Sequence, residues 1–305
     1  KGVLNRGDHV ITTSMEHNSV IRPLKRLEKD RIITLTVLKG DESGVISTQE
    51  IEEATLGSTR LFVFNHMSNV TGAVQPAAEI GKFCREKGII TIADCAQSAG
   101  IIPVNAEKDC LDIICAAGHK GLYGPTGTGV MIVRDSFDFK KIKPLKEGGT
   151  GSLSDSTDHP EFMPDKFESG TLNVAGIAGL AKGVAFLNSM DGGLSSVQEH
   201  KRTLQKYFIE KAEKYVPGFR SLSAKDGFGV VSFAVEEFST SELTQRLSEE
   251  FNIMSRQGLH CAPLAHQRIG TFPEGTVRFG FSVFNTREEV DLALEALRII
   301  TKRKK

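Results

Sequence analysis

Lys120 is the residue of this chain whose position most strongly suggests chemistry. It follows the apolar run of residues 112–117 after a Gly118-His119 pair, and a glycine-rich segment, residues 124–129, comes shortly afterwards. A lysine at the end of a buried strand is costly to leave charged and unpaired, so such a position usually has a chemical use. We therefore interpret Lys120 as a lysine that forms a Schiff base.

A carboxylate occupies the matching position on a second run. Residues 89–93 are strand-like and are followed directly by Asp94. A lysine and an acid at the carboxyl ends of parallel strands suit pyridoxal 5′-phosphate (PLP), because the lysine can form an imine with its aldehyde while the acid pairs with its ring nitrogen. Taken alone, each residue has an ordinary alternative: Asp94 could cap a helix and Lys120 could be a solvated loop residue.

Composition excludes several classes of function. The 305 residues contain 38 Lys+Arg and 38 Asp+Glu, so no net charge attracts nucleic acid or an anionic membrane. We find no apolar run of the ~20 residues that span a bilayer and no signal peptide. Five cysteines without a Cys-x-x-Cys pair favour free thiols in a reducing compartment and disfavour a metal site. We expect a cytoplasmic protein.

The first 135 residues alternate between short β-rich runs and amphipathic stretches. The predicted strands are residues 10–15, 32–39, 60–67, 89–94, 112–117 and 128–134, and the predicted helices are 19–31, 48–56 and 76–87. This alternation predicts an α/β fold with a mostly parallel sheet between helices. Ligands of such sheets bind beyond the carboxyl ends of the strands. Five polar residues follow predicted strands there: His17, Asn69, Asp94, Gln97 and Lys120.

The remainder of the chain changes in character. Residues 136–172 are polar and glycine-rich, and a connection of that length is usually functional, mobile or used at a subunit contact. Further elements are helices at 174–190, 194–215, 240–251 and 286–302 and strands at 228–236 and 277–284. We predict three parts: a large domain, 1–190, whose N-terminal part we expect to be missing, a connecting helix, 191–218, and a small α+β domain, 219–305.

Several ordered motifs resemble the class V aminotransferase family of fold-type I PLP enzymes, and within it the sulfur-mobilising, group II cysteine desulfurases. The resemblance covers essentially the whole chain. The motifs are Glu16-His17-Asn18-Ser19, residues 65–72, Asp94-Cys95-Ala96-Gln97-Ser98, Gly118-His119-Lys120, residues 167–171, Arg256-x-Gly-x-His260-Cys261, Val277-Arg278 and residues 285–290.

The resemblance implies a role around the PLP ring for each of five residues. Lys120 would hold the cofactor and later move the Cα proton, which requires a neutral amine. Asp94 would pair with the pyridine nitrogen, and Gln97 would donate a hydrogen bond to the phenolic oxygen. His17 would stack on the open face of the ring and could shuttle protons. Asn69 would orient the ring oxygen or the substrate.

The resemblance also implies how the phosphate is held. His119 would contact it, and Thr171 would reach the phosphate of the partner subunit, which implies a homodimer with shared sites. The chain departs from the family at two places. Ala117 replaces a serine, and we expect the family's Gly-Thr-Thr phosphate loop to be missing, because the chain begins after the place where the family has it.

The substrate side of the expected site contains two arginines and a cysteine. Arg278, and with less specificity Arg256, would bind the carboxylate of L-cysteine through a guanidinium fork. Cys261 would accept the sulfur as a persulfide, because a thiolate is the soft nucleophile that this transfer needs. His260 and Arg256 could favour that thiolate. The other cysteines are expected to be structural: Cys84, Cys95, Cys110 and Cys115.

The implied function is a cysteine desulfurase that hands its sulfur to a small acceptor protein. Three alternatives remain open at this point. They are a selenocysteine lyase, another class V aminotransferase or lyase, and a non-catalytic fragment or sulfur-relay module.

Overall fold

The computed structural model describes residues 2–302. A six-stranded sheet, in the order β2-β1-β3-β4-β5-β6, forms its larger part. The strands are β1 (Asp8–Thr13), β2 (Ile33–Leu38), β3 (Thr59–Asn65), β4 (Ile90–Asp94), β5 (Ile113–Ala117) and β6 (Gly129–Val133). The first five are parallel to their neighbours, and β6 is antiparallel to β5. The predicted α/β fold with a mostly parallel sheet is confirmed.

Three helices connect the parallel strands: α1 (Asn18–Lys29), α2 (Thr48–Ala54) and α3 (Ala77–Lys87). Local sequence sets their ends. Ser47 and Glu50 form a reciprocal capping box at the start of α2. Gly88 ends α3 in the left-handed conformation at φ 68°, which glycine adopts without steric cost.

Both faces of this sheet are buried at its central strand β3. In β3 the side chains of Phe62 and Phe64 belong to one apolar cluster, and those of Leu61 and Val63 belong to another. The two clusters alternate along the strand because successive side chains point to opposite faces. A sheet buried on both faces requires nearly continuous apolar strands, as residues 61–64 are.

A second, four-stranded antiparallel sheet has the order β7-β8-β10-β9. Its strands are β7 (Phe219–Ser221), β8 (Val230–Val235), β9 (Arg256–Gly258) and β10 (Thr276–Gly280). The helices of this half are α4 (Val174–Ser189), α5 (Gly193–Tyr215), α6 (Thr240–Phe251), α7 (Pro263–Arg268) and α8 (Arg287–Lys302). Side chains of α5, α6 and α8 share one core with this sheet. The exact boundaries at 190 and 218 stay a prediction.

The sequence did not predict three elements of this half. They are β7 and β9, of three residues each, and α7, of six. The segment around β9 is polar, and a strand of three residues is too short to show alternation. Strand β9 exists because Thr276, Val277 and Arg278 of β10 pair with it.

Within residues 2–302, the structure contains no helix of the length and apolarity that a membrane crossing requires.

Phe208 should be the most sensitive core position of the second half. Its ring is fully buried and lies within 6.0 Å, centroid to centroid, of Phe219, Phe233, Phe279 and Phe281. We expect Phe208→Ala to lower the free energy of unfolding by about 3–5 kcal/mol, because the cavity cannot close between two packed layers. Urea denaturation measures this. The matched change at the exposed Phe162 should have an effect of about 1 kcal/mol or less, and a similarly small loss for Phe208→Ala would contradict this packing.

Candidate active site

Strand register brings the acid and the lysine to the same edge of the first sheet. Asp94 is the last residue of β4 and aligns with Asn65 of β3 and Cys115 of β5. Strand β5 ends two residues later at Ala117, and the turn with Lys120 follows. Both side chains therefore emerge at the carboxyl edge, where parallel sheets bind their ligands.

Glycines allow the turn after β5 to pack directly on the turn after β4. A Cβ atom on Gly121 would collide with the carbonyl oxygen of Ala99, and one on Gly100 would collide with the carbonyl oxygen of Gly121. Gly100 also has φ 78°, a conformation that favours glycine. The backbones of the two turns are in contact, which fixes the position of Lys120 relative to Asp94.

Lys120 lies within the electrostatic field of four other predicted site residues. Burial is the largest influence and lowers the pKa of its amine below the usual value, while the carboxylate of Asp94 opposes this. The positive charges of Arg278 and Arg256 lower the pKa further. The Lys120 amine is thus easier to deprotonate than an ordinary lysine, as a proton-transferring amine must be.

Asp94 does not cap a helix. Its Oδ1 accepts a hydrogen bond from the backbone N–H of Ala96 at 2.9 Å, and a series of turns follows it. The side chain is partly exposed, so its carboxylate remains accessible from the carboxyl edge of the sheet.

His17 is the N-cap of α1 and is half-buried. Its Nδ1 lies 3.1 Å from the backbone nitrogen of Ser19 and 2.8 Å from that residue's hydroxyl, which orients the imidazole. Burial, followed by the charge of Lys120, lowers its pKa. The charges of Lys120 and Asp94 both act on this imidazole, and the lowered pKa favours its neutral form.

Cys261 lies on a tight loop held in an uncommon backbone conformation. His260 and Cys261 have φ values of 48° and 60°, in the left-handed region that residues with a side chain seldom occupy. Two hydrogen bonds hold this loop on the large sheet's side: Asn69 Nδ2 donates to the His260 carbonyl at 2.7 Å, and the backbone N–H of Asn18 donates to the Cys261 carbonyl at 2.7 Å. The thiol is therefore held at a defined place.

The thiol has both a cationic neighbour and access to solvent. Arg256 Nη2 lies 3.5 Å from Cys261 Sγ. The partly exposed cysteine also lines a surface groove of about 400 Å³ between α1 and the loop, together with Ile21 and Leu259. A larger cleft of about 950 Å³ lies elsewhere, beside Phe228, and contains none of the predicted site residues.

The expectation for His260 needs correction. Its ring is buried, its Nε2 lies 3.0 Å from the hydroxyl of Thr276, and burial together with the charge of Arg278 lowers its pKa to about 3. His260 is therefore neutral and contributes no positive charge to the thiol. Arg256 and Arg278 remain as cations that act near Cys261.

The two arginines are neighbours across β9 and β10. Arg278 is half-buried, and its Nη1 donates to the backbone carbonyl of Asn69 at 2.7 Å, whereas Arg256 is exposed. Asn69 thus links the two sheets, since it binds both Arg278 and His260.

Three further residues belong to the predicted site. Gln97 is partly buried in the turns after Asp94, His119 is exposed beside Lys120, and Thr171 is exposed just before α4. The phosphate contacts of His119 and Thr171, the latter across a dimer, stay predictions, as does the bond from Gln97.

The other cysteines are separate from this chemistry. All five are free thiols. Burial raises the pKa of Cys84 and Cys95 to about 12 and that of Cys115 to about 11. These three thiols are protonated and unreactive at neutral pH.

Sequence reasoning assigned no role to Glu16, although it precedes His17 in the first motif. Its side chain is fully buried. The one available signal in the sequence was its position: Glu16 is a charged residue that directly follows the predicted strand 10–15 and precedes His17.

The sheet order and this edge site define a fold-type I α/β enzyme. The chain matches the family described as aminotransferase class-V over residues 1–293. It is 33% identical over 307 aligned positions to a probable cysteine desulfurase from Pyrococcus abyssi, covering 98% of this chain and 74% of that protein. A cysteine desulfurase from Escherichia coli is 30% identical over 300 positions, covering 96% and 71%. The chain belongs to the class V aminotransferase family.

Solved structures agree with these relatives. The apo structure of a cysteine desulfurase from Thermococcus onnurineus has a TM-score of 0.89 and 32% identity, covering 99% of this chain and 75% of that one. A cysteine desulfurase from E. coli, solved as its S-sulfonic acid, has the same TM-score at 26% identity, covering 98% and 73%.

We expect Arg256→Gln to slow alkylation of Cys261 by iodoacetamide roughly threefold or more, because a neighbouring cation favours the thiolate that reacts. Mass spectrometry of digests after timed exposure measures the rate at each cysteine. Cys110, which is partly exposed, serves as the internal control and should be unaffected. Equal rates at Cys261 in both proteins would contradict the role of Arg256.

Proposed function

We propose that this chain is a PLP-dependent cysteine desulfurase, which converts L-cysteine to L-alanine and retains the sulfur as a persulfide on Cys261. The observation that carries the proposal is that the Cys261 thiol and the Lys120 amine share one site. The charge of Cys261 acts on Lys120, and Arg256 acts on both. A class V fold without such a thiol would support other reactions of amino acids equally well.

The residues present fit PLP. An amine with a lowered pKa, a carboxylate and a half-buried imidazole are the groups that its aldehyde, ring nitrogen and ring face require. Among the described residues, the buried Oδ1 of Asn69 has no hydrogen-bond partner, so the site has polar capacity left for a ligand. When bound, PLP supplies an aldehyde carbon for the amino group and a ring that withdraws electrons from Cα.

Lys120, Asp94 and His17 divide the work around that ring in this proposal. The Lys120 amine accepts the Cα proton, which its lowered pKa favours. Asp94 keeps the ring nitrogen protonated. His17 covers the open face and can carry a proton between the substrate and Lys120.

Arg278 is the proposed anchor of the substrate carboxylate. Its hydrogen bond to Asn69 uses Nη1 and orients the guanidinium, so Nη2 and Nε can bind the carboxylate as a fork. Arg256 lies beside it and adds positive charge at the same place. The substrate sulfur is then directed toward Cys261.

The atoms and electrons of the sulfur transfer balance without an added oxidant or reductant. The Cys261 thiolate attacks the substrate sulfur, so an Sγ–S bond forms while the Cβ–S bond breaks. The electron pair of the broken bond stays on Cβ, which takes up a proton. The products are alanine and the Cys261 persulfide.

The remaining parts of the proposal concern the assembly. His119 and, from a second subunit, Thr171 would bind the phosphate, and Gln97 would bind the phenolic oxygen. The groove beside Cys261 leaves the persulfide accessible to an acceptor protein. A homodimer in the cytoplasm that passes sulfur to such an acceptor is the form we propose.

Cys261→Ala should abolish persulfide formation from L-cysteine and PLP, and should lower alanine production at least tenfold, because no other thiol can accept the sulfur. Alanine is measured by chromatography and the persulfide by mass spectrometry of intact protein. Cys110→Ala is the matched control and should behave as wild type. Unchanged alanine production by Cys261→Ala, with selenocysteine as the better substrate, would instead identify a selenocysteine lyase.

Arg278→Lys should raise the KM for L-cysteine about tenfold or more with a smaller effect on kcat, because an ammonium cannot make two parallel bonds to a carboxylate. Steady-state kinetics of alanine formation measure both constants. Arg220→Lys, on the exposed β7 of the same sheet, is the control. A KM within twofold of wild type would contradict this role of Arg278 and would favour Arg256 as the residue that binds the carboxylate.

A further inference from the structure

Glu16 is a buried carboxyl group beside the proposed site that none of the assigned roles uses. Its side chain has no solvent exposure. It lies between β1 and α1, directly before His17, and the charge of Asp94 acts on it. A fully buried acid next to another acid needs a physical explanation.

The contacts of Glu16 involve only one of its two oxygens. Oε1 accepts a hydrogen bond from the Thr13 hydroxyl at 2.6 Å and one from the backbone N–H of Asn65 at 3.0 Å. Among the described residues, the buried Oε2 has no partner. An ionised carboxylate would leave half of its charge unsolvated there, whereas a protonated acid keeps a single carbonyl-like acceptor on Oε1 and a hydroxyl on Oε2.

The same contacts join two strands to the loop that carries His17. Thr13 ends β1, and Asn65 ends β3 and aligns with Asp94 of β4. The Asn65 side chain also donates to the carbonyl of Met15 at 3.3 Å. Glu16 therefore fixes the start of α1, where His17 is the N-cap, to the carboxyl edge at the position of Asp94.

We propose that Glu16 is a positioning residue for the proposed reaction: a neutral carboxylic acid that holds the His17 loop on the end of β3 and leaves Asp94 as the negative charge beneath the ring. The inference rests on the proposed function for its catalytic part. A second ionised carboxylate at this place would repel Asp94 and compete with it for the cofactor's proton.

Charge effects on Glu16 agree with this geometry. Burial raises its pKa from 4.5 to about 8, the hydrogen bonds from Thr13 and Asn65 oppose this, and Asp94 raises the pKa further. The folded state therefore holds a proton that the unfolded chain has released. The contribution of protonated Glu16 to the free energy of unfolding is therefore fully present at acidic pH. This contribution falls as pH rises from about 4.5 to about 8.

The first part of the test uses the protein without cofactor. Urea unfolding of wild type, Glu16→Gln and Glu79→Gln is followed from about pH 5 to about pH 9. Glutamine carries the neutral amide in place of the acid and needs no proton, so the fall of the urea midpoint with pH should be smaller in Glu16→Gln than in wild type. Glu79 is exposed on α3, and its variant should follow wild type. The same pH dependence in Glu16→Gln and wild type would show an ionised Glu16 and overturn the proposal.

The second part of the test examines the positioning role through the kinetics of alanine formation with PLP and L-cysteine. We expect Glu16→Ala to lower kcat about tenfold or more, with KM changed less, because the His17 loop loses its attachment. Glu16→Gln should restore kcat to within about threefold of wild type near neutral pH. We expect the kcat of wild type to decline above about pH 8 as Glu16 ionises, and Glu16→Gln should lack this decline. Wild-type kcat in Glu16→Ala would overturn the positioning role. If Glu16→Ala does not fold, the dependence of the urea midpoint and of kcat on pH in Glu16→Gln decides whether the proposal holds.

The two parts separate this inference from the proposed function. Should wild type produce no alanine from cysteine, the desulfurase assignment fails, while the urea series still shows whether Glu16 is neutral. Should alanine form normally and the urea series show no effect of Glu16→Gln, the assignment stands and the inference about Glu16 is wrong.

Discussion

The attraction between the Lys120 amine and the Asp94 carboxylate, at one edge of a parallel sheet, is the interaction on which the rest of this site depends. Burial lowers the pKa of the amine, and the carboxylate raises it again. Burial is the larger of the two effects, so the pKa of Lys120 lies below that of an ordinary lysine and the amine is easier to deprotonate. Backbone contact between the turns at Gly100 and Gly121 keeps the two groups at a fixed separation.

The site also requires that the two sheets hold their relative position. Asn69 binds His260 and Arg278 of the small sheet's side, and Asn18 binds the carbonyl of Cys261. Two consecutive residues in the left-handed conformation keep the thiol loop tight. Cations from the small sheet thus act on the amine of the large sheet, so the groups proposed to bind the substrate, move its proton and accept its sulfur influence one another electrostatically.

Sequence patterns predicted the long elements well, because apolar strands buried on both faces and amphipathic helices have distinct periodicities. They also placed Lys120, Asp94 and His17 after strands, where topology brings such residues together. Short elements were missed, since three residues of β9 have no periodicity. The neutral state of His260 and the burial of Glu16 could not be predicted, because burial depends on which segments pack over a residue and motif order does not contain that information.

The most direct measurement is the site of PLP attachment. The protein is mixed with PLP, reduced with borohydride, digested and analysed by mass spectrometry, with Asp94→Asn as a companion variant. We expect a pyridoxyl group on Lys120 in wild type and weaker labelling in Asp94→Asn, because the amide cannot stabilise a protonated ring nitrogen. Labelling of other lysines in preference to Lys120 would contradict it.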